Sequence, residues 1–276
     1  MKPVNLLYDN EIEGVGVPIQ EACIRSADGL YIPAVLLRPE GEDALAAVIV
    51  VHGAPGGRGM SAIKREVQTR GTVSERFLKE GYLVVVTDYR ARQLRGREGP
   101  TEFSYAGDIV SVIRYTKQLP YVDAQRVGLY SGSLGSESSI LALGEESVAA
   151  AVLNAPGGYT SMKVSRDVQP HRPSDDVLSD DNFDHQLART NLGKINSPSL
   201  FVVGTADGFL GTVKKTQSIL ADLGKDASIE VTDMERAIEF YRDFLGMKMS
   251  ERHTAAEVEG IPVELCFMRL GRAHQP

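Results

Sequence analysis

Residues 126–135 read Arg126-Val127-Gly128-Leu129-Tyr130-Ser131-Gly132-Ser133-Leu134-Gly135. An apolar run predicts a strand over 126–130, and 136–143 (SESSILAL) predicts a helix. Ser133 falls in the turn between them, with small residues, Ser131 and Gly135, two positions to either side. Small residues at those offsets permit a sharp strand-to-helix turn that pushes a strained serine out of the sheet. The helix N-terminus behind it favours developing negative charge. The N–H of Leu134 is a candidate oxyanion donor aimed at the same point. A Ser/Gly-rich loop that merely precedes a helix is the plain alternative, and the strand before and helix after favour the turn. Ser131 stands where a glycine is commonest, and as the next smallest residue it crowds the turn only slightly.

Outward from this turn, strand and helix alternate. Residues 46–51 (AAVIVV) form a short continuous apolar run, as expected of a strand buried on both faces of a mostly parallel sheet. Further strands are expected at 82–87, 149–153, 200–203 and 227–231, and helices at 74–79, 105–119 and 212–223. The 105–119 helix places Ile109, Val112, Ile113 and Thr116 on one face. The first 45 residues alternate as antiparallel strands around a turn at Ala27-Asp28-Gly29. Together these patterns predict an α/β fold built on a doubly wound, mostly parallel sheet. Residues 154–198, rich in Pro, Asp, Ser and Asn, break the rhythm and show little periodicity beyond short turns. That excursion is too long for an ordinary connector and is read as a lid over the strand ends, against a plain surface excursion.

The composition sets the bounds. The chain has 276 residues, 42% hydrophobic and 24% charged, with a formal net charge of −7. A disordered chain is excluded by that apolar content. No apolar run reaches the roughly 20 residues of a membrane span, and MKPVNLLYDNEIEG lacks the pattern of a signal peptide. The negative charge argues against a nucleic-acid partner. Cys23 and Cys266 have no pairing or metal-ligand spacing, so the expectation is reduced thiols in a cytoplasmic protein.

Two more loops carry candidate chemistry. Val51-His52-Gly53-Ala54-Pro55-Gly56-Gly57 follows the first buried strand. It lacks the Gly-Lys-Ser/Thr of a phosphate loop and the spacing of a dinucleotide fingerprint. It can aim backbone N–H groups inward, and that of Ala54 is the second candidate oxyanion donor. His52 reads as structural. Residues 199–208 (SLFVVGTADG) place Asp207 just past another buried strand, on the same sheet edge as Ser133. A turn or N-cap aspartate is the plain reading. The chain order Ser…Asp at strand ends favours the acid of a Ser-Asp-His hydrolase.

At this point the segment 20–226 resembles the α/β-hydrolase superfamily, in its dienelactone-hydrolase and prolyl-oligopeptidase (S9-like) branch. The strings SADGLYIPAVLLRPEG, VIVVHGAPGG, GYLVVVTDYR, LPYVDAQRVGLYSGSLG and SPSLFVVGTADGF carry the resemblance in collinear order. It implies Ser133 as nucleophile, Asp207 as acid, the N–H groups of Ala54 and Leu134 as oxyanion hole, and small ester, lactone or peptide substrates. No cofactor is expected.

The same resemblance also expects a histidine soon after the last strand, yet none occurs before His253. Instead SIEVTDMERAIEFYRDFLGMKMSERH and GIPVELCFMRLG resemble the opening half of a glyoxalase/extradiol-dioxygenase (vicinal oxygen chelate) module. The metal-binding histidine of that family would fall near Asp226, so no metal site is expected. The organisation read here is a hydrolase domain over 1–231 and a partial βαββ extension over 232–276 that shares the strand at 227–231. Half a module with exposed strand edges suggests a homodimer through the extension. Strands are expected at 247–253 and 261–270, with His253 at the end of the first, on the active-site edge. His253 is the leading candidate for the base. His171 and His185 in the excursion are alternatives, as is a base from a neighbouring chain or none at all, and His274 reads as a tail residue. The function expected is a serine hydrolase of small carboxylic esters or lactones, acting through an acyl-enzyme. An S9-like peptidase and a non-catalytic binding or assembly protein are the alternatives.

Overall fold

The computed structural model describes residues 6–11, 17–40, 44–53, 56–69, 72–91, 104–165, 178–205, 207–232, 247–258 and 261–270. Among these described residues nine strands form one sheet: β1 (Leu6–Glu11), β2 (Pro18–Arg25), β3 (Tyr31–Leu37), β4 (Leu45–Val51), β5 (Leu83–Thr87), β6 (Val122–Gly132), β7 (Ala150–Asn154), β8 (Ser199–Gly204) and β9 (Ala227–Thr232). Their order is β1-β2-β3-β5-β4-β6-β7-β8-β9. The three pairings at the β1 end are antiparallel, and every pairing from β5 to β9 is parallel. The β2–β3 hairpin turns over residues 26–30, with the Ser26 N–H donating to the Leu30 carbonyl at 2.8 Å. Gly29 takes a φ of 91° there, in the region glycine favours.

The helices are α1 (Met60–Gln68), α2 (Val73–Lys79), α3 (Tyr105–Lys117), α4 (Leu134–Leu143), α5 (His185–Leu192) and α6 (Leu210–Asp222). Alternate residues of β4 face opposite sides of the sheet. Val48 and Val50 join Ile63 and Val67 of α1 in one apolar layer. Ala47, Ile49 and Val51 join Ile109 and Ile113 of α3, Ile140 of α4, Leu192 of α5 and Val213 of α6 in the other. A strand covered on both faces must be apolar throughout, which is why the strand residues 46–51 read as an unbroken run.

Within the 154–198 excursion, residues 166–177 lie outside the described residues. Residues 154–198 hold α5, and Met162, Val164, Leu178, Phe183, Ala188, Leu192 and Ile195 are buried in the core. The β-α-β rhythm therefore continues, with α5 in the crossover from β7 to β8. The helix is two turns long and buries only Ala188 and Leu192, four residues apart, too little for a periodic signal. α1 has no counterpart in the sequence expectations for a similar reason, since it buries only Ile63 and Val67.

Beyond β9, β10 (Met247–Val258) and β11 (Ile261–Leu270) pair antiparallel as a separate two-stranded sheet. β9 itself pairs parallel with β8 at the end of the main sheet. The helix expected between β9 and β10 lies outside the described residues.

Candidate active site

β6 ends at Gly132 and α4 begins at Leu134, so the chain reverses direction through one residue, Ser133. Ser133 has φ 49° and ψ −120°, a conformation that costs an L-residue steric strain. Its neighbours impose it. The Ser133 N–H donates to the Asn154 carbonyl at the end of β7 (2.8 Å), and its carbonyl accepts the Glu137 N–H (3.0 Å). The residue is exposed. Leu134, the first residue of α4, carries an N–H with no acceptor within the helix.

The small residues around the serine each have a steric reason. A Cβ on Gly135 would stand 2.3 Å from the His52 carbonyl oxygen, so only glycine lets α4 begin against that loop. A Cβ on Gly53 would stand 3.1 Å from Ser133 Cβ, which places the 52–59 loop directly beside the serine. Ser131 is fully buried with its Oγ 3.2 Å from Ser136 Oγ, and Ser136 Oγ donates to the Asn154 carbonyl at 3.0 Å. The hydroxyl at this position therefore has a partner, and the turn tolerates it.

Two buried carboxylates hold the loops on either side. Asp88, just past β5, is 1% exposed. Its Oδ1 accepts from His52 Nε2 (2.8 Å), the Tyr89 N–H (2.8 Å) and the Gly57 N–H (3.2 Å), and its Oδ2 accepts from the Gly59 N–H (2.7 Å). Burial pushes the Asp88 carboxyl up, but the bonds from His52, Gly59 and Tyr89 outweigh it and hold it below the ordinary aspartate value. Glu137, in the first turn of α4, accepts from the N–H groups of Gly158 (2.6 Å), Thr160 (2.6 Å) and Ser161 (2.8 Å). It thereby ties the segment after β7 to the helix that starts at Ser133. Sequence reasoning passed over both residues. Their signal was a carboxylate beside the apolar strand residues 82–87 and another inside an otherwise small and apolar helix.

Asp207 is half-buried past the end of β8. Its Oδ1 accepts the Phe209 N–H at 2.8 Å, and the Phe209 ring meets Tyr159 edge-on at 6.0 Å. In register, Gly132 lies opposite Asn154 and Asn154 opposite Val202. Ser133 and Asp207 thus stand beyond the same edge of the sheet, on strands two spacings or about 10 Å apart.

The other expected site residues fall elsewhere. Ala54 lies outside the described residues. His52 is buried in the wall, with Nδ1 2.5 Å from the Gly53 carbonyl oxygen and its ring stacked 4.7 Å from Tyr89. His185 opens α5, about half exposed, with Nε2 3.6 Å from Asp180 Oδ1. His171 and His274 lie outside the described residues. His253 is on β10 opposite Leu265. β10 continues to Val258, so His253 sits in mid-strand, correcting the expectation that the strand ends there. The apolar pattern fades after His253, but backbone pairing to β11 carries the strand on through Thr254 and Ala255. Among the described residues, no group of three His, Cys, Asp or Glu is placed to hold a metal ion, and no helix is long and apolar enough to cross a membrane.

Comparison with solved structures finds the same architecture. An esterase from the archaeon Pyrobaculum calidifontis superposes with a TM-score of 0.59 at 17% identity, covering 84% of each chain. A putative dienelactone hydrolase from Klebsiella pneumoniae gives 0.53 at 20% identity, covering 82% of this chain and 89% of that one. Dipeptidyl peptidase 4 from Porphyromonas gingivalis gives 0.61 at 16% identity, covering 83% of this chain but 35% of that one. Residues 226–274 match the Glyoxalase/Bleomycin resistance protein/Dioxygenase superfamily. No curated protein matches the chain by sequence. The sheet order, the crossovers and these superpositions establish the α/β-hydrolase fold.

Proposed function

We propose that the protein is a serine hydrolase of small carboxylic esters or lactones. The observation that carries this reading is the backbone of Ser133, held at φ 49° and ψ −120° in a one-residue turn at the N-terminus of α4. A strained, exposed serine there presents Oγ to a substrate carbonyl, with the Leu134 N–H and the helix dipole behind it.

Ser133 Oγ attacks the carbonyl carbon as a base takes its proton. The tetrahedral oxyanion is held by the N–H groups of Leu134 and Ala54. Its collapse breaks the ester C–O bond, the base returns the proton to the departing alcohol, and an acyl-enzyme remains. Water, deprotonated by the same base, then releases the acid. Asp207 orients the base. We assign the base to His253, the first histidine of the segment after β9.

One observation favours a second reading. Among the described residues, the Asp207 carboxylate accepts the Phe209 N–H and no histidine hydrogen-bonds to it. A binding protein on a hydrolase scaffold without a working base would look the same. Hydrolysis of p-nitrophenyl acetate and butyrate by the parent chain, Ser133→Ala and His253→Ala separates them. Loss in both variants supports the full assignment, and loss in Ser133→Ala alone moves the base elsewhere. A parent no faster than Ser133→Ala favours the scaffold.

A further inference from the structure

The second half of α3 and the end of the β2–β3 hairpin line a cavity of about 200 Å³. Ser111, Arg114, Tyr115 and Gln118 recur at helical spacing, so one face of the helix and its cap forms one wall. Ile24, Arg25 and Ala27 form the other. None of these residues belongs to the Ser133 turn or the Asp207 loop.

The cavity holds donors that lack acceptors. Tyr115 is 8% exposed, and its hydroxyl is buried with no hydrogen-bond partner among the described residues. A buried hydroxyl left in this way costs stability and calls for an acceptor. Burial pushes the Tyr115 phenol up to about 12, with Tyr121 adding to the effect, so it remains a donor at neutral pH. Arg25 is exposed and has no hydrogen bond or ion pair among the described residues. A Cβ on Gly29 would stand 3.5 Å from Arg25 Nη2, which places the guanidinium over the hairpin turn. Arg114 bonds to Glu146 through Nε at 3.0 Å, and its Nη1 and Nη2 have no acceptor among the described residues. Ser111 Oγ already donates to the Gly107 carbonyl at 2.9 Å.

The neighbouring acids are engaged elsewhere. Arg90 holds Asp28 at 2.7 and 3.1 Å, and Lys117 shares Glu146 at 2.8 Å. The C-terminal end of α3 carries negative partial charge, but the Tyr115 and Thr116 carbonyls there accept the N–H groups of Gln118 and Leu119. Two guanidinium groups and a phenol therefore await acceptor oxygens, while Ile24 and Ala27 leave part of the wall apolar.

We propose that this cavity binds a small carboxylate anion with a short apolar tail, its oxygens held by Arg25, Arg114 and the Tyr115 hydroxyl. The site does not rest on the reading of Ser133. Arg25 and Gln118 are exposed, and exposed side chains change rotamer freely, so they can open the way to the Tyr115 hydroxyl.

The probe is sodium butyrate, with sodium chloride and sodium phosphate at equal ionic strength as controls. Melting temperature, and saturation transfer from the protein to the butyrate protons, are measured for the parent, Arg25→Gln and Tyr115→Phe. Butyrate at about 50 mM is expected to raise the parent's melting temperature by about 2–4 °C, as for a Kd of about 10 mM. Arg25→Gln is expected to lose most of that shift and most of the saturation transfer. Tyr115→Phe has a signature of its own. Without butyrate it melts at or above the parent, because it removes a hydroxyl that had no partner. With butyrate it gains less than half of the parent's shift. No butyrate shift in the parent, or the same shift in both variants, as binding at the Ser133 turn would give, overturns the site. A phosphate shift as large as that of butyrate overturns the assignment to a carboxylate. A Tyr115→Phe that melts below the parent without butyrate overturns the hydroxyl as a ligand donor.

Discussion

Gly135 lies so close to the His52 carbonyl oxygen that a methyl group on it would stand 2.3 Å from that atom. This contact joins the start of α4 to the loop beside Ser133. Gly135→Ala must push the two apart, because backbone meets backbone and no side chain can swing away. The expected cost is about 1–3 kcal/mol in urea unfolding, with a loss of ester turnover beyond what instability explains. A variant as stable and active as the parent would show that the contact is looser than described.

The strain at Ser133 makes a second expectation unusual in sign. With φ 49° and ψ −120°, the position suits glycine better than any L-residue. Ser133→Gly is expected to raise stability by about 1 kcal/mol while abolishing turnover. Ser133→Ala keeps the strain and is expected to abolish turnover with little gain. Thermal melts of the three proteins decide this, and a less stable glycine variant would contradict it.

Glu137 is 2% exposed and accepts three backbone N–H groups of the segment after β7. Glu137→Gln keeps the volume but turns an N–H₂ towards a donor. A loss of about 2 kcal/mol in urea unfolding is expected, with faster hydrogen exchange at 158–161. Unchanged exchange there would remove Glu137 as the tie between that segment and α4.

Asp88 gives a stability difference that depends on pH. Its carboxyl lies below the ordinary aspartate value in the folded protein. Such a group contributes stability that is fully present above the unfolded value, about 3.9, and is lost as pH falls through the folded value. The stability gap between parent and Asp88→Asn is therefore expected to be constant above about pH 5 and to close below about pH 4. Melting temperatures across pH 2–7 measure it. A gap that widens in acid would reverse the sign.

Much of the fold was legible because the buried strands carry their signal in consecutive residues. Residues 46–51 and 83–86 are continuous apolar runs, the pattern of strands covered on both faces. The Ser133 turn was legible because its constraints are local, resting on small residues at fixed offsets. α1 and α5 were not, because each buries two side chains and leaves the rest to solvent. The grips of Asp88 and Glu137 were also hidden. Each joins residues more than twenty positions apart through backbone N–H groups, which leave no mark in the sequence. His253 shows the limit in the other direction. A histidine on an expected strand could be named, but backbone pairing with β11 decides where that strand ends.

The most direct test of Ser133 as nucleophile is labelling with a fluorophosphonate, followed by mass mapping of the digested chain. One adduct per chain is expected, located on Ser133 and absent from Ser133→Ala. No adduct on the folded protein, or an adduct on another residue, would contradict it.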